Sequence, residues 1–126
     1  MKEERLNLLK AKLKDFDIEF GDVNGTPDIA VKKEQVLDVC RLIKDDDELK
    51  FNWLLDAIGV DRFQKKNRYE MIYNIRSTEY RDRLFLRIKI DGKEPEMESL
   101  TQVWKSADWY EREAFDMVGV YFKNHP

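Results

Sequence analysis

Tyr69-Glu-Met-Ile-Tyr-Asn-Ile-Arg76, Ser77-Thr-Glu-Tyr-Arg-Asp82 and Arg83-Leu-Phe-Leu-Arg-Ile-Lys-Ile90 follow one another without a break, and their reading decides the fold. In the first block Tyr69, Met71, Tyr73 and Ile75 alternate with Glu70, Ile72, Asn74 and Arg76; in the last, Leu84, Leu86, Ile88 and Ile90 alternate with Phe85, Arg87 and Lys89. A period of two puts each set on its own face of a strand. The block between them is too short for the crossover that parallel neighbours need, so the strands are expected to lie side by side and antiparallel. Asp91-Gly92 and Pro95 stop the second strand. Just upstream, Leu49 to Val60 carries Trp53, Leu54, Leu55 and Ile58 in a mostly apolar run, which reads as a central strand buried on both faces. Together the three predict an antiparallel meander.

Working outward, Leu6, Leu9 and Leu13 recur at helical spacing between Glu3 and Lys14. Asp17 to Phe20 and Asp28 to Val31 read as a hairpin, with Gly21, Asn24-Gly25 and Thr26-Pro27 supplying turn chemistry. Val36, Val39, Cys40 and Ile43, widened by Leu37, form the apolar stripe of a second helix over Lys32 to Lys44, ended by Asp45-Asp-Asp47. Beyond Pro95, Ser99-x-x-Gln102 and Asp108-x-x-Glu111 each match a capping pattern, which predicts two short helices. The second runs from about Trp109 to Val118, with Tyr110, Ala114 and Met117 on one face and Gly119 as its left-handed terminator. Val120-Tyr-Phe122 completes the set as an edge strand. The expected architecture is α+β: a single domain, residues 1–126, with a mainly antiparallel sheet and helices packed on one side.

Composition limits the chemistry. The 126 residues suit one core. Acidic residues outnumber basic ones by 26 to 23, so the electropositive surplus that binds phosphate backbones is missing and nucleic acid is not an expected partner. Cys40 is the only cysteine, which excludes an internal disulfide and any multi-cysteine zinc or iron–sulfur site built by this chain. His125 is the only histidine and precedes the last residue, so neither a conventional catalytic triad nor a histidine-rich metal site is available. No apolar run approaches the roughly 20 residues needed to cross a bilayer, and the charged opening Met1-Lys-Glu-Glu-Arg5 is followed by no signal core, so a soluble, cytosolic protein is expected.

Trp109 to Pro126 holds most of the remaining chemical potential, bringing carboxylates, an arginine, aromatics and the histidine together. At helical spacing Arg112 is four residues from both Asp108 and Asp116, whereas Glu111 and Glu113 point to different faces, so paired acid/base carboxylates are not enforced. Trp109, Tyr110, Phe115 and Met117 are more than one helix face needs, and the second face calls for a partner. On its apolar stripe Cys40 is expected in the core. Asp45-Asp-Asp47 lacks the glycine and the terminal glutamate of a calcium loop and reads as a solvated turn. The scattered glycines form no phosphate cradle.

The same segment resembles the signature of the NADH-quinone oxidoreductase C subunit, a peripheral-arm component of respiratory complex I shared with energy-converting hydrogenases. The signature is an aromatic pair (Trp109-Tyr110), Glu111-Arg112-Glu113, an acid three positions on (Asp116), an apolar-Gly-apolar step (Val118-Gly119-Val120) and a closing His125-Pro126. Trp53 to Asp56, Gly59 to Asp61, Arg68 to Ile75, Arg83 to Ile90 and Thr101-Gln-Val-Trp104 resemble the family's preceding elements. The resemblance thus covers 49–126, while 1–47 matches loosely as a helix, hairpin and helix. Family members usually continue past His-Pro into a basic tail, so this chain is expected to be a truncation or a short form. Short forms also resemble the small subunits of group 4 nickel–iron hydrogenases.

The resemblance implies a non-catalytic subunit that holds no cofactor or metal and supports electron transfer coupled to ion translocation. It also implies that the chain contacts a large quinone-site or nickel–iron subunit and neighbouring iron–sulfur subunits, on the cytoplasmic side of a membrane that it does not enter. Its partner interface would comprise Trp109, Tyr110, Glu111, Arg112, Glu113, Asp116, Met117, Gly119, His125 and Pro126. A hydrogenase small subunit is the alternative. A free-standing enzyme using Glu111, Glu113 and Asp116, or a scaffold unrelated to respiration, are the further ones.

Overall fold

Alternation in 69–76 and 83–90 becomes two full strands, paired antiparallel from Tyr69 opposite Ile90 to Arg76 opposite Arg83. A computed structural model describes all residues 1–126. In chain order the elements are α1 (Glu3–Lys12), β1 (Ile18–Val23), β2 (Thr26–Val31), α2 (Val36–Asp45), β3 (Trp53–Asp61), β4 (Tyr69–Arg76), β5 (Arg83–Ile90) and β6 (Glu96–Glu98). A 3-10 turn (Leu100–Gln102), α3 (Ala107–Val118) and β7 (Tyr121–Lys123) complete the chain. The main sheet has the order β1-β2-β5-β4-β3, antiparallel throughout except for the parallel pair β2–β5. Its inward face carries Ile29, Val31, Leu54, Ala57, Met71, Tyr73, Ile75, Leu84, Leu86, Ile88 and Ile90. These join Leu9 and Leu13 of the α1 region, Val36, Val39, Cys40 and Ile43 of α2, and Ala107 and Ala114 of α3 in one cluster of 27 buried residues. One cluster means one domain, α+β as expected.

Two expectations are corrected and one further strand appears. The Leu49–Val60 run is not central: β3 pairs only with β4 and forms the sheet's edge. Leu49 and Phe51 are buried ahead of it, whereas Trp53 and Ile58 are about half exposed. A bulge between Leu54 and Asp56 resets its register, leaving Ala57 and Gly59 opposite Tyr73 and Met71 on the inner face. The central strand is β5, because β2 fills its free side. In the N-terminal hairpin only Asn24-Gly25 turns; both residues have positive φ, while Thr26 and Pro27 pair with Val23 and Asp22. Finally, β6, which the alternation was too short to reveal, pairs parallel with β7 in a second small sheet.

The Asp45-Asp-Asp47 turn is a charged corner: Asp46 accepts the Glu48 N–H, and the Lys12 ammonium lies 3.0 Å from Asp46 and 3.1 Å from Glu48. On the outer face of the sheet Arg87 of β5 joins Asp28 of β2 to Glu70 of β4, and Arg62 adds a second contact to Glu70. These bridges stitch adjacent strands together.

Candidate functional site

Helix α3 lies on β3, and its side chains form the site. Inward it presents Ala107, Glu111, Ala114 and Val118, a stripe at the spacing of one helix face. This corrects the expected face of Tyr110, Ala114 and Met117: Tyr110 is half-buried and Met117 is 82% exposed. Hydrophobic periodicity misplaces the face because its centre is a carboxylate. Close approach of helix to strand depends on Gly59, where an added Cβ would stand 2.8 Å from the Val118 side chain and 3.2 Å from the Ala114 Cβ.

Glu111 is fully buried. Its Oε2 accepts from the Tyr73 hydroxyl at 2.7 Å and the Leu100 N–H at 2.9 Å, and its Oε1 accepts from the Ser99 hydroxyl at 2.6 Å. Burial pushes the Glu111 carboxyl above the ordinary glutamate range, and these three donors together with His125 pull it only part of the way back. Burial, reinforced by the facing carboxylate, likewise pushes the Tyr73 hydroxyl well up. The Cys40 thiol is also raised, by burial first and Glu111 second, so it sits in the core as a small apolar group.

Of the two capping patterns, the one at Ser99 is realised and the one at Asp108 is not. Ser99 accepts the Thr101 N–H, but of a single 3-10 turn. Helix α3 starts at Ala107, flanked by Ser106 without a side-chain cap, which leaves Asp108 in the first turn, where a negative charge favours the helix dipole. Asp108 Oδ1 lies 3.2 Å from His125 Nε2 and 3.4 Å from Arg112. His125 Nε2 is also 3.1 Å from the Asp108 carbonyl oxygen and 4.0 Å from Glu111 Oε1, so the histidine is a contact residue folded back on the start of α3. Arg112 pairs with Asp108, and its pair with Asp116 is not formed. Gly119 ends α3 at φ +81, the left-handed terminator the sequence called for.

Seven of the expected interface residues, Trp109, Arg112, Glu113, Asp116, Met117, Gly119 and Pro126, are exposed. Tyr110 is anchored by its hydroxyl, which donates to the Leu55 carbonyl at 2.7 Å, and Glu111 is inside. The three acids of the enzyme alternative therefore do not converge, since Glu113 and Asp116 face outward and Glu111 faces the core. Trp109, Phe115, Met117 and, from β7, Tyr121 are each more than half exposed. A shallow recess of about 250 Å³ lined by Glu111, Arg112, Phe115, Tyr121, Phe122 and His125 lies beside them. Sequence reasoning missed Tyr73 and Ser99 as partners of Glu111, and Tyr121 as part of the exposed surface; the only available signal was the capping motif at Ser99. No group of three or more His, Cys, Asp or Glu side chains is placed to hold a metal ion.

Comparison with known proteins gives this geometry a context. Residues 29–126 match the family described as the 30 Kd subunit of respiratory-chain NADH dehydrogenase. The chain is 37% identical over 121 residues to the NADH-quinone oxidoreductase C subunit of Roseiflexus sp. (strain RS-1), covering 96% of this chain and 70% of that one. It is 34% identical over 119 residues to the same subunit of Geobacter sulfurreducens, covering 94% and 72%. Among solved structures, Nqo5 of a trypsin-resistant fragment superposes with a TM-score of 0.74 at 25% identity, covering 97% of this chain and 98% of that one. A chain of the membrane-bound sulfane sulfur reductase, an archaeal respiratory membrane complex, shares the fold with a TM-score of 0.82 at 21% identity, covering 98% and 73%.

Proposed function

This chain belongs to the family of the 30 kDa subunit of respiratory-chain NADH dehydrogenase, and from that premise we propose that it is a non-catalytic peripheral-arm subunit that docks on the large catalytic subunit of such a complex through the outer side of α3. One observation carries the reading: α3 completes its inner face against β3 and still presents Trp109, Phe115 and Met117, with Tyr121 alongside, to solvent. Interface centres favour aromatics, methionine and arginine, and Arg112 lines one recess with Phe115 and Tyr121. Redox work belongs to the partners in this reading, because a cluster or metal needs several ligands and the chain supplies one buried thiol and one histidine. No helix is long and apolar enough to cross a membrane, which suits a peripheral position on the cytoplasmic side of a membrane-bound assembly.

The test is co-purification of the tagged full chain from its host, followed by native mass spectrometry. Trp109→Ser with Met117→Ser should lower recovery of the large subunit at least tenfold, about 1.4 kcal/mol, with a far smaller change in the urea midpoint of the free chain because both side chains are mostly exposed. Arg112→Ala should weaken assembly by about 3 to 5 kcal/mol where docking buries its ion pair. Full recovery of the large subunit with the double variant overturns the reading.

A further inference from the structure

The loop joining β3 to β4, Arg62-Phe-Gln-Lys-Lys-Asn-Arg68, is firmly built at its base and yet holds its tip out in solvent. Phe63 is 83% exposed and holds φ at +53, the left-handed region that a bulky side chain enters at a cost. Asn67 adopts the same region at φ +50. The conformation is held from several directions: Asp61 accepts the Phe63 N–H at 2.9 Å, and the Gln64 amide donates to the Lys66 and Asn67 carbonyls at 2.9 and 3.1 Å. Across the base of the loop the Arg62 N–H donates to the Arg68 carbonyl at 2.7 Å. The Arg68 guanidinium, forked onto Asp61 by two bonds of 2.9 Å, stands 5.8 Å from the centre of the Phe63 ring. A network that fixes a strained aromatic in open solvent serves no packing inside the fold, and strain of this kind concentrates where a surface is shaped for a ligand.

Charge narrows the choice of ligand. Of the tip's cations, Arg62 and Arg68 are neutralised by Glu70 and Asp61. Lys65, Lys66 and, across a shallow recess shared with Phe63 and Gly92, Lys93 are exposed and carry no such partner, in a chain whose net charge is −3. We propose that this tip is a second docking surface, in which Phe63 enters an apolar recess of a neighbouring protein while Lys65, Lys66 and Lys93 meet an acidic segment around that recess. Unpaired ammonium groups favour carboxylates across an interface, and an aromatic already fixed in place loses little freedom on binding. A lipid surface suits the tip less well, since basic lipid-binding clusters carry roughly four to eight lysines and arginines. The tip lies beyond the end of α3 that rests on Gly59, and it uses none of the α3 residues invoked above, so the two surfaces can be tested separately.

A benzophenone side chain placed at position 63 of the tagged full chain and activated by light in the assembly purified from its host reads the contact directly. The expected result is an adduct, mapped by mass spectrometry, on an acidic stretch of one neighbouring subunit. Its yield should fall at least tenfold when Lys65→Glu and Lys66→Glu are added, and should be kept with Lys65→Arg and Lys66→Arg. The free chain's urea midpoint should not move in either pair, because both lysines are exposed. Adducts on lipid alone, no adduct from an intact assembly, or a protein adduct indifferent to the charge reversal would each overturn the proposal.

Discussion

Glu111 decides how the C-terminal third sits on the sheet, because one carboxylate satisfies a tyrosine hydroxyl, a serine hydroxyl and a backbone N–H, all buried. Each donor left without a partner in the interior costs about 1–3 kcal/mol. Glu111→Ala strips all three at once and should destabilise the fold by at least about 3 kcal/mol, measured by urea unfolding. Titration has a definite sign here. Burial raises the Glu111 pKa, so between the ordinary glutamate value and the raised one the folded chain keeps a proton that the unfolded chain has released. The contribution of this group to stability is therefore full below the ordinary value and declines as pH rises through the raised one. Glu111→Gln cannot titrate, so the unfolding free energy of the wild type relative to this variant should fall as pH rises above the ordinary glutamate value; a difference that rises instead would mean the donors, not burial, set the pKa. Of this, only the capping motif at Ser99 was legible in the sequence. Periodicity treats a glutamate as an outward residue, and only the fold brings Tyr73 and Ser99 to it.

At the scale of elements, strands with one apolar face were readable and strands defined by their neighbours were not. The alternation of β4 and β5 announced both their direction and their buried faces, because a period of two survives any surroundings. β3 looked central since Trp53, Leu54, Leu55 and Ile58 are all apolar, but composition does not say whether the second face is covered by a helix, by a strand or by water. The segment from Trp104 to Tyr110 also shelters this edge: the Trp104 indole N–H, the Ser106 hydroxyl and the Tyr110 hydroxyl donate to the carbonyls of Phe51, Leu54 and Leu55. How closely α3 can lie on β3 is set by Gly59. Gly59→Ala should force the helix outward and destabilise the chain by about 1–3 kcal/mol, the usual range for overpacking, read as a lower urea midpoint. An unchanged midpoint would show that Val118 simply rotates away.

For the molecule as a whole, fold class and family signature could be read from residues, whereas the connection between the halves could not. Hairpin turns and capping motifs are local, but the pairing of Asp28, Ile29 and Ala30 with Phe85, Leu86 and Arg87 joins segments more than fifty positions apart, and no spacing rule announces it. That parallel pairing has a consequence during synthesis. The strand that seats the first hairpin is made long after the hairpin itself, so the N-terminal third must wait on the ribosome with its apolar face uncovered until Ile90 has cleared the exit tunnel. Nascent chains arrested before that point should be cut by protease throughout residues 1–45, and those released beyond Pro126 should resist. The family signature, translated later still, would then close over a sheet completed only shortly before it.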